Sequence, residues 1–292
     1  RLMVLPDDLA VFPTHGAGSF CSAAGSTERT TTVGAERAHN ALLAAGNEDV
    51  FVNRLVASLG TYPPYFLRLR DLNRRGPRIV GGTPLPVRLS VTELRKMVDQ
   101  GAQVVDARSV GEFASGHVPG SLSIPLRPQF ASWLGWLVKS DRPVVFVLGP
   151  DQDRRALVSQ CLGIGYERLA GELEGGVAAW QDAGLALESL TVVDAPALGS
   201  PGSGGRLLLD VRQVSEYDAG HIPGSLHVEL GSLADSVAQL PAQPLAVLCG
   251  HGERAVTGAS IISGLGRHDV AVVTGGPEDW AAVPGRRLAS GD

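Results

Sequence analysis

One cysteine of this chain lies in a sequence pattern suited to nucleophilic chemistry. Cys249 follows an apolar run of strand length and begins the stretch CGHGER, which ends at Arg254 where a helical pattern starts. A loop between a strand and a helix directs backbone N–H groups and the helix dipole at one point, where they stabilise an anion. A thiol at that point is stabilised as the thiolate, with Arg254 close in sequence to assist. The pattern therefore predicts Cys249 and Arg254 as catalytic residues.

The residues between Cys249 and Arg254 form the predicted binding loop. Glycines at two of its positions let the backbone curl tightly without a Cβ penalty. The loop amides would hold a persulfide or the oxyanion of a sulfur donor. The predicted substrate-binding residues are Gly250, His251, Gly252 and Glu253. His251 is the histidine with a direct role, in substrate selection, although a loop histidine is commonly just exposed.

The sequence contains an internal repeat with a period of about 100 residues. The stretch DARSVGEFASGHVPGS, which begins at Asp106, recurs as DVRQVSEYDAGHIPGS, and GGVAAW (175–180) recurs as GGPEDW (275–280). Two landmarks in the same order at nearly the same offset indicate a duplicated domain. The shared polar residues are predicted to be structural, because the first copy lacks a suitable thiol. An Arg–Glu pair and a strand-end Asp that accepts from turn amides would explain them. In the second copy they are Asp210, Arg212, Glu216 and His221.

Each copy alternates apolar runs of strand length with helical patterns. Residues 91–99 have helical periodicity, with Thr92 as a candidate N-cap. Buried strands alternating with helices predict an α/β fold, in which each copy has a central parallel sheet flanked by helices. The predicted strands are 103–106, 142–148, 206–210, 244–249 and 270–273.

The first copy lacks the chemistry of the second. Its corresponding loop is LGPDQDRR (148–155), with Gly149 at the position expected for the nucleophile. Two aspartates oppose an anion there, and Pro150 removes an amide donor. We therefore interpret the first copy as a non-catalytic domain for packing or partner binding. Cys161 and Cys21, which lie outside such loops, are predicted to be structural.

The motifs of both copies resemble the rhodanese (thiosulfate sulfurtransferase) family. The segments DVRQVSEYDAGHIPGS, CGHGER and GGPEDW carry the resemblance in the second copy, and residues 88–190 resemble a second member. The resemblance implies that Cys249 takes up a sulfane sulfur as a persulfide and passes it to a thiophilic acceptor. It implies thiosulfate or glutathione persulfide as donor, a thiol or cyanide as acceptor, and no cofactor for these domains.

The first 80 residues resemble another family. PTHGAGSFC, TTVGAER and YPPYFLRLRDLNRRGP are similar to the C-terminal part of metallo-β-lactamase-fold proteins fused to rhodanese domains, such as persulfide dioxygenases and glyoxalase-II-like thioesterases. The resemblance implies that His15 is a metal ligand only if further ligands lie upstream, because such sites need three or four. The sequence contains no His-x-His-x-Asp-His. The resemblance thus allows iron or zinc in an intact parent protein, and neither is expected in this chain.

These patterns predict three domains. Residues 1–80 would be the C-terminal portion of a metallo-β-lactamase-like domain, 84–190 a rhodanese-like domain without a catalytic cysteine, and 191–292 a rhodanese-like domain with Cys249. The chain begins with Arg1 and not Met, and we expect it to be part of a longer protein.

Composition excludes several partners. A net charge of -5 and a pI of about 5.8 argue against nucleic acid or an anionic membrane. No apolar run approaches the roughly 20 residues that span a bilayer. Three widely spaced cysteines fit a reducing compartment and predict a cytoplasmic protein. The sequence leaves a homo-oligomer open.

Two other functions stay open at this point. The main activity could be a metal-dependent persulfide dioxygenase or thioester hydrolase whose metal centre lies upstream. Alternatively, both rhodanese-like copies could be non-catalytic interaction modules. Labelling of Cys249 no faster than that of Cys161 by a thiol reagent at neutral pH would support the second alternative.

Overall fold

The computed structural model describes residues 4–13, 30–58, 61–76, 79, 81–82, 84–199 and 205–291. The chain forms two compact units, Arg1–Tyr62 and Pro63–Asp292. The second unit begins at Pro63, upstream of the predicted domain boundary at residue 80. The three predicted domain ranges stay a prediction.

The first unit holds a short pair of strands and two helices. Strand β1 (Ala10–Val11) pairs antiparallel with β2 (Thr31–Thr32). Helix α1 (Val33–His39) follows β2 directly, and α2 (Glu48–Ser58) comes after it. Val33 is buried at the start of α1. Among the described residues of this unit it is the one buried hydrophobic side chain.

The second unit contains two α/β domains, each built on a five-stranded sheet. The first α/β domain has the strand order β3-β7-β6-β4-β5, and all its pairings are parallel. Its elements and the helix that precedes them are α3 (Phe66–Arg75), β3 (Arg88–Leu89), α4 (Val91–Asp99), β4 (Gln103–Asp106), α5 (Val110–Ser115), β5 (Leu122–Ser123), α6 (Phe130–Leu137), β6 (Val144–Val147), α7 (Arg154–Gly163), β7 (Leu169–Leu173) and α8 (Gly176–Asp182).

The second α/β domain repeats this arrangement. Its strand order is β10-β9-β11-β12-β8, again parallel throughout, which is the order of the first sheet read from the other edge. The predicted duplication and the predicted α/β class are therefore confirmed. Its elements are β8 (Thr191–Asp194), β9 (Leu207–Asp210), α9 (Val214–Ala219), β10 (Leu226–His227), α10 (Leu233–Ser236), β11 (Leu245–Leu248), α11 (Glu253–Gly264), β12 (Val270–Thr274) and α12 (Pro277–Ala281).

The central strands are buried along their whole length. All four residues of β6 and all four of β11 are buried, as expected for strands covered on both faces. The five predicted strands are present, and their ends lie within two residues of the predicted ends. Short continuous apolar runs bounded by turns therefore predicted these five of the ten strands, and β3, β5, β7, β8 and β10 were missed.

Helix α4 covers the predicted residues, but Thr92 is not its N-cap. Ser90 caps the helix instead, with its hydroxyl accepting from the amide of Glu93 at 3.3 Å. The Glu93 carboxylate accepts from the amide of Ser90 at 2.8 Å. This reciprocal capping box satisfies two amides at once and places the N-cap two residues before Thr92.

Helix α11 packs against both α/β domains. Ala255 and Ala259 share one hydrophobic cluster with Phe113 and Ala114 of α5, in the first domain. The hydroxyl of Ser260 accepts from the amide of Ser123 in β5 at 3.0 Å. The helix that follows the Cys249 loop is thus fixed by its own sheet and by an edge of the first domain.

Candidate active-site loop at Cys249

Cys249 lies directly after β11 and is buried, with 1% of its surface exposed. The amide of Gly252 donates a hydrogen bond to the Cys249 sulfur at 3.1 Å. Gly252 is the N-cap residue of α11 and has a φ of 104°, a conformation that favours glycine. The loop therefore places an amide donor from the helix N-terminus on the sulfur, the arrangement that the sequence predicted.

A glycine from another segment lets this loop close. A Cβ on Gly276 would lie 2.4 Å from the carbonyl oxygen of Gly250 and 3.1 Å from that of Cys249. Any other residue would therefore push the loop away. In the sequence, Gly276 was only a landmark of the repeat, and its contact with the Cys249 loop was missed. The shared Gly-Gly pairs of the two copies were the signal available.

Arg254 forms a bidentate ion pair with Glu216 of α9. Its two terminal nitrogens donate to the carboxylate oxygens at 2.6 and 2.8 Å. Burial opposes the charge of Glu216, but the hydrogen bonds and the charge of Arg254 hold the pKa of that carboxyl below its usual value. Burial also opposes the charge of Arg254, yet Glu216, and to a smaller extent Cys249, raise the pKa of the guanidinium. Arg254 is thus fixed as a cation near the loop.

This pair changes the interpretation of Glu216. Sequence reasoning grouped Glu216 with the structural landmarks, where an Arg–Glu pair was expected among them. Arg212 instead pairs with Asp210, at 2.7 Å, and donates to the carbonyl of Gly220 at 2.7 Å. Glu216 remains available for Arg254. Glu216 therefore positions a predicted catalytic residue, a contact between segments 38 positions apart.

The remaining landmarks hold the backbone in both domains. Arg108 repeats the contacts of Arg212, bonding to Asp106 at 2.6 Å and to the carbonyl of Gly116 at 2.8 Å. His221 is buried, and its Nδ1 lies 3.1 Å from the carbonyl oxygen of Tyr217, on whose ring it stacks. These groups tie the end of a strand to the chain after the next helix.

The other predicted loop residues do not contact the Cys249 sulfur in any observed hydrogen bond. His251 is exposed, and Gly250 and Glu253 are partly buried. The carboxylate of Glu253 pairs at 2.7 Å with Arg127, which belongs to the first α/β domain. Sequence reasoning missed Arg127. In the sequence, Arg127 is simply an arginine in the segment after β5, and no pattern links it to Glu253.

The equivalent position in the first domain is Leu148 and not Gly149. Asp106 is aligned with Val147 in the first sheet, and Asp210 with Leu248 in the second. The residue after each central strand is therefore Leu148 or Cys249. The predicted assignment of Gly149 to the nucleophile position was wrong by one residue, because the longer loop of the first copy obscures the alignment.

The loop of the first domain has the opposite polarity. Nη1 of Arg154 donates to three carbonyl oxygens of this loop, those of Gly149, Pro150 and Gln152, at 2.7 to 2.9 Å. The side chain of Gln152 accepts from the amide of Gly149 at 2.8 Å and donates to the carbonyl of Ala107 at 2.6 Å. Carbonyls thus surround a cation, and the loop's own glutamine occupies an amide that an anion would need.

Cys161 differs from Cys249 in its surroundings. Cys161 is fully buried in α7, and burial raises the pKa of its thiol to about 12. It is therefore a neutral, unreactive thiol near pH 7. Cys21 lies outside the described residues.

The predicted metal ligand His15 also lies outside the described residues. Within the part of the chain that the structure describes, no group of three or more His, Cys, Asp or Glu side chains could hold a metal ion. None of the described helices combines the length and apolar character needed to cross a bilayer.

A family model for the rhodanese-like domain matches residues 90–183 and 197–283, which together are more than half of the chain. The chain belongs to the rhodanese-like family. It is similar to thiosulfate sulfurtransferase GlpE of Pseudomonas savastanoi pv. phaseolicola, with 39% identity over 80 residues, 27% of this chain and 76% of that protein. GlpE of Pseudomonas putida strain GB-1 is 37% identical over 89 residues, 30% of this chain and 80% of that protein. These matches confirm the predicted family.

Two solved structures cover larger parts of the chain. A thiosulfate sulfurtransferase of Pseudomonas aeruginosa is 22% identical with a TM-score of 0.30, over 72% of this rhodanese-like chain and 45% of that protein. A metallo-beta-lactamase from Staphylococcus aureus subsp. aureus COL is 24% identical with a TM-score of 0.44. That match covers 57% of this chain, which spans 45% of the length of that protein. The assignment of residues 1–80 to a metallo-β-lactamase-like domain stays a prediction.

Proposed function

We propose that this chain is a sulfurtransferase in which Cys249 carries a sulfane sulfur as a persulfide. One observation carries the proposal: the amide of Gly252, at the N-terminus of α11, donates to the Cys249 sulfur at 3.1 Å. Membership of the rhodanese-like family and the similarity to proteins named thiosulfate sulfurtransferase support thiosulfate as the donor. Glutathione persulfide is the other donor that this loop would accept.

In the first step the Cys249 thiolate attacks the outer sulfur of thiosulfate. A sulfur–sulfur bond forms to Cys249 as the sulfur–sulfur bond of the donor breaks, and sulfite leaves with the electron pair. Free amides at the start of α11 would bind the oxyanion and the new persulfide anion, because the first amides of a helix have no partner within it. The Arg254 cation, held by Glu216, would offset the accumulating negative charge.

In the second step a thiophilic acceptor attacks the outer sulfur of the persulfide. Cyanide gives thiocyanate and a thiol gives a new persulfide, and in both cases the Cys249 thiolate leaves and is regenerated. No electrons are gained or lost overall, so the cycle needs no redox cofactor. The loop has to stabilise an anion on Cys249 throughout, which fits a site made of amides and one cation.

Intact-mass spectrometry tests the proposal directly. After incubation with thiosulfate, we expect the chain to gain about 32 Da, the mass of one sulfur, and to lose it when cyanide is added. The Cys249→Ser variant should gain nothing. The matched control is Cys161→Ser, which should be loaded like the wild type because Cys161 is buried and neutral.

Glutathione persulfide is then tried in the same assay. If neither donor loads the wild-type chain, or if the Cys249→Ser variant is loaded equally, the proposal is wrong. The two rhodanese-like domains would then be better described as interaction modules.

A further inference from the structure

A residue of the first α/β domain contacts the Cys249 loop. Nη1 of Arg127 lies 2.7 Å from Oε1 of Glu253, and the two side chains are 31% and 28% exposed. Glu253 is the first residue of α11, between the glycine that bonds to Cys249 and Arg254. The pair therefore joins the cysteine-free domain to the N-terminus of the helix on which the loop depends.

The backbone on both sides of this ion pair is fixed. The carbonyl of Arg127 accepts from the amide of Phe130 at 3.0 Å, and the amide of Leu126 donates to the carbonyl of Ala107 at 2.9 Å. On the other side, the hydroxyl of Ser260 in α11 accepts from β5. Arg127 lies in the segment between β5 and α6, whose backbone is hydrogen-bonded on both sides of it, and β5 is bonded to α11, which begins at Glu253.

Arg127 is the cation that compensates Glu253 at the start of α11. Arg254 is occupied by Glu216 in a bidentate pair. Without Arg127, the carboxylate of Glu253, on the first residue of α11, would be an uncompensated negative charge that repels an anionic donor entering the loop. Charges at the rim of a binding site mainly alter association with charged ligands and its dependence on salt. Arg127 removes that repulsion.

We infer that Arg127 is a positioning residue for the Cys249 site: it neutralises Glu253 and thereby lets the loop accept anionic sulfur donors. This assigns a task to the cysteine-free domain in the reaction of the other domain. Arg127 and Glu253 also line a cleft of about 630 Å³ beside the loop of the first domain, which Glu112 and Asp151 line as well, so the pair is open to solvent and its charges are screened by salt. The choice of donor rests on the proposed function, but the electrostatic part of the inference does not.

Alkylation of Cys249 measures that electrostatic part. Its sulfur displaces iodide from either iodoacetate, which is an anion, or iodoacetamide, which is neutral, and a carbon–sulfur bond replaces the carbon–iodine bond. Peptide mapping gives the rate for Cys249 with each reagent. We expect Arg127→Ala to lower the iodoacetate-to-iodoacetamide rate ratio roughly threefold to tenfold at low salt, with less effect at high salt.

Three further variants make the result specific. Arg127→Ala combined with Glu253→Gln should restore the ratio, since the unpaired charge is gone. Arg127→Lys keeps the positive charge, so it should keep the ratio near the wild-type value even if Arg127→Ala disturbs packing. Arg267→Ala, which breaks the Arg267–Asp269 pair beyond the other end of α11, should not change it. An unchanged ratio in Arg127→Ala, or no restoration in the double variant, would overturn the inference.

The sulfur-transfer reaction gives a second readout. With thiosulfate, Arg127→Ala should raise KM roughly threefold to tenfold and leave kcat within about twofold, because the pair affects donor binding. The two proposals fail separately. A wild-type chain that forms no persulfide refutes the sulfurtransferase, whereas normal persulfide formation with an unchanged alkylation ratio refutes only the role of Arg127.

Discussion

The two α/β domains share a sheet order and a set of polar landmarks, but their central strands end in loops of opposite polarity. After β11, an amide of the helix N-terminus points at the sulfur of Cys249. After β6, three carbonyls of the loop point at the guanidinium of Arg154, and Leu148 takes the place of the cysteine. One loop is built for an anion and the other for a cation of the protein itself.

This difference shows what the landmarks do. The Asp–Arg pair and the buried histidine make the same contacts in both domains, so they maintain the fold and do not by themselves specify chemistry. Glu216 and its counterpart Glu112 differ in their partners. Both complete a capping box at the start of their helix, with Gln213 and Ser109 respectively, but Glu216 also binds Arg254. The same glutamate position thus caps a helix in both domains, and in the second domain it also holds Arg254.

The contrast in loop polarity would be irrelevant if the first domain lacked only a thiol for sulfur transfer. We expect Leu148→Cys, introduced into the Cys249→Ser variant, to restore no persulfide, because carbonyls and Gln152 occupy that loop. Cys249→Ser alone should lower thiosulfate turnover by about three orders of magnitude or more. Mass spectrometry and thiocyanate production measure both. Substantial recovery of turnover in the double variant would show that loop polarity is not decisive.

Substitution of Glu216 and of its counterpart Glu112 should have smaller effects on turnover that differ between the two domains. Glu216→Gln should lower kcat/KM for thiosulfate about tenfold to hundredfold, because Arg254 loses its bidentate partner and its fixed position. Glu112→Gln is the matched control and should change kcat/KM by no more than about twofold. Steady-state kinetics on both variants decides the matter. Equal losses in the two variants would mean that both glutamates act only through the stability of the fold.

The smallest expected effect is on the pH dependence of stability and comes from Cys161, the buried thiol of the first domain. Burial raises the pKa of Cys161 from 9.0 to about 12. Between these values the unfolded chain releases a proton that the folded chain retains, so stability falls as the pH rises from about 9 towards 12. We expect that in Cys161→Ala the free energy of unfolding falls less steeply with pH over this range, by about 1 kcal/mol per pH unit.

Urea unfolding at a series of pH values measures this slope. Tyr166→Phe serves as the comparison, since burial raises the pKa of Tyr166 from 10.0 to about 12 and its contribution should begin only above about pH 10. A Cys161→Ala variant with the wild-type slope would show that this thiol ionises as freely in the folded chain as in the unfolded one.

Local patterns in the sequence predicted most of the fold. Apolar runs predicted five of the ten strands of the two sheets, and the periodicity of residues 91–99 predicted α4, although its cap is Ser90. The repeated landmarks gave the duplication. The alignment of the two catalytic positions failed by one residue at Gly149, because strand register is a property of paired strands and the two loops differ in length.

What the sequence by itself determined is the loop: a cysteine, two glycines and an arginine within six consecutive residues after a buried strand. Such a unit is local, so its chemistry can be inferred from spacing alone. Only the tertiary structure decided which distant residues complete it. Glu216 reaches Arg254 from 38 positions away, Arg127 reaches Glu253 from 126, and Gly276 closes against Gly250. These contacts exist only once the sheets and α11 bring remote segments together, and residue spacing carries no signal for them.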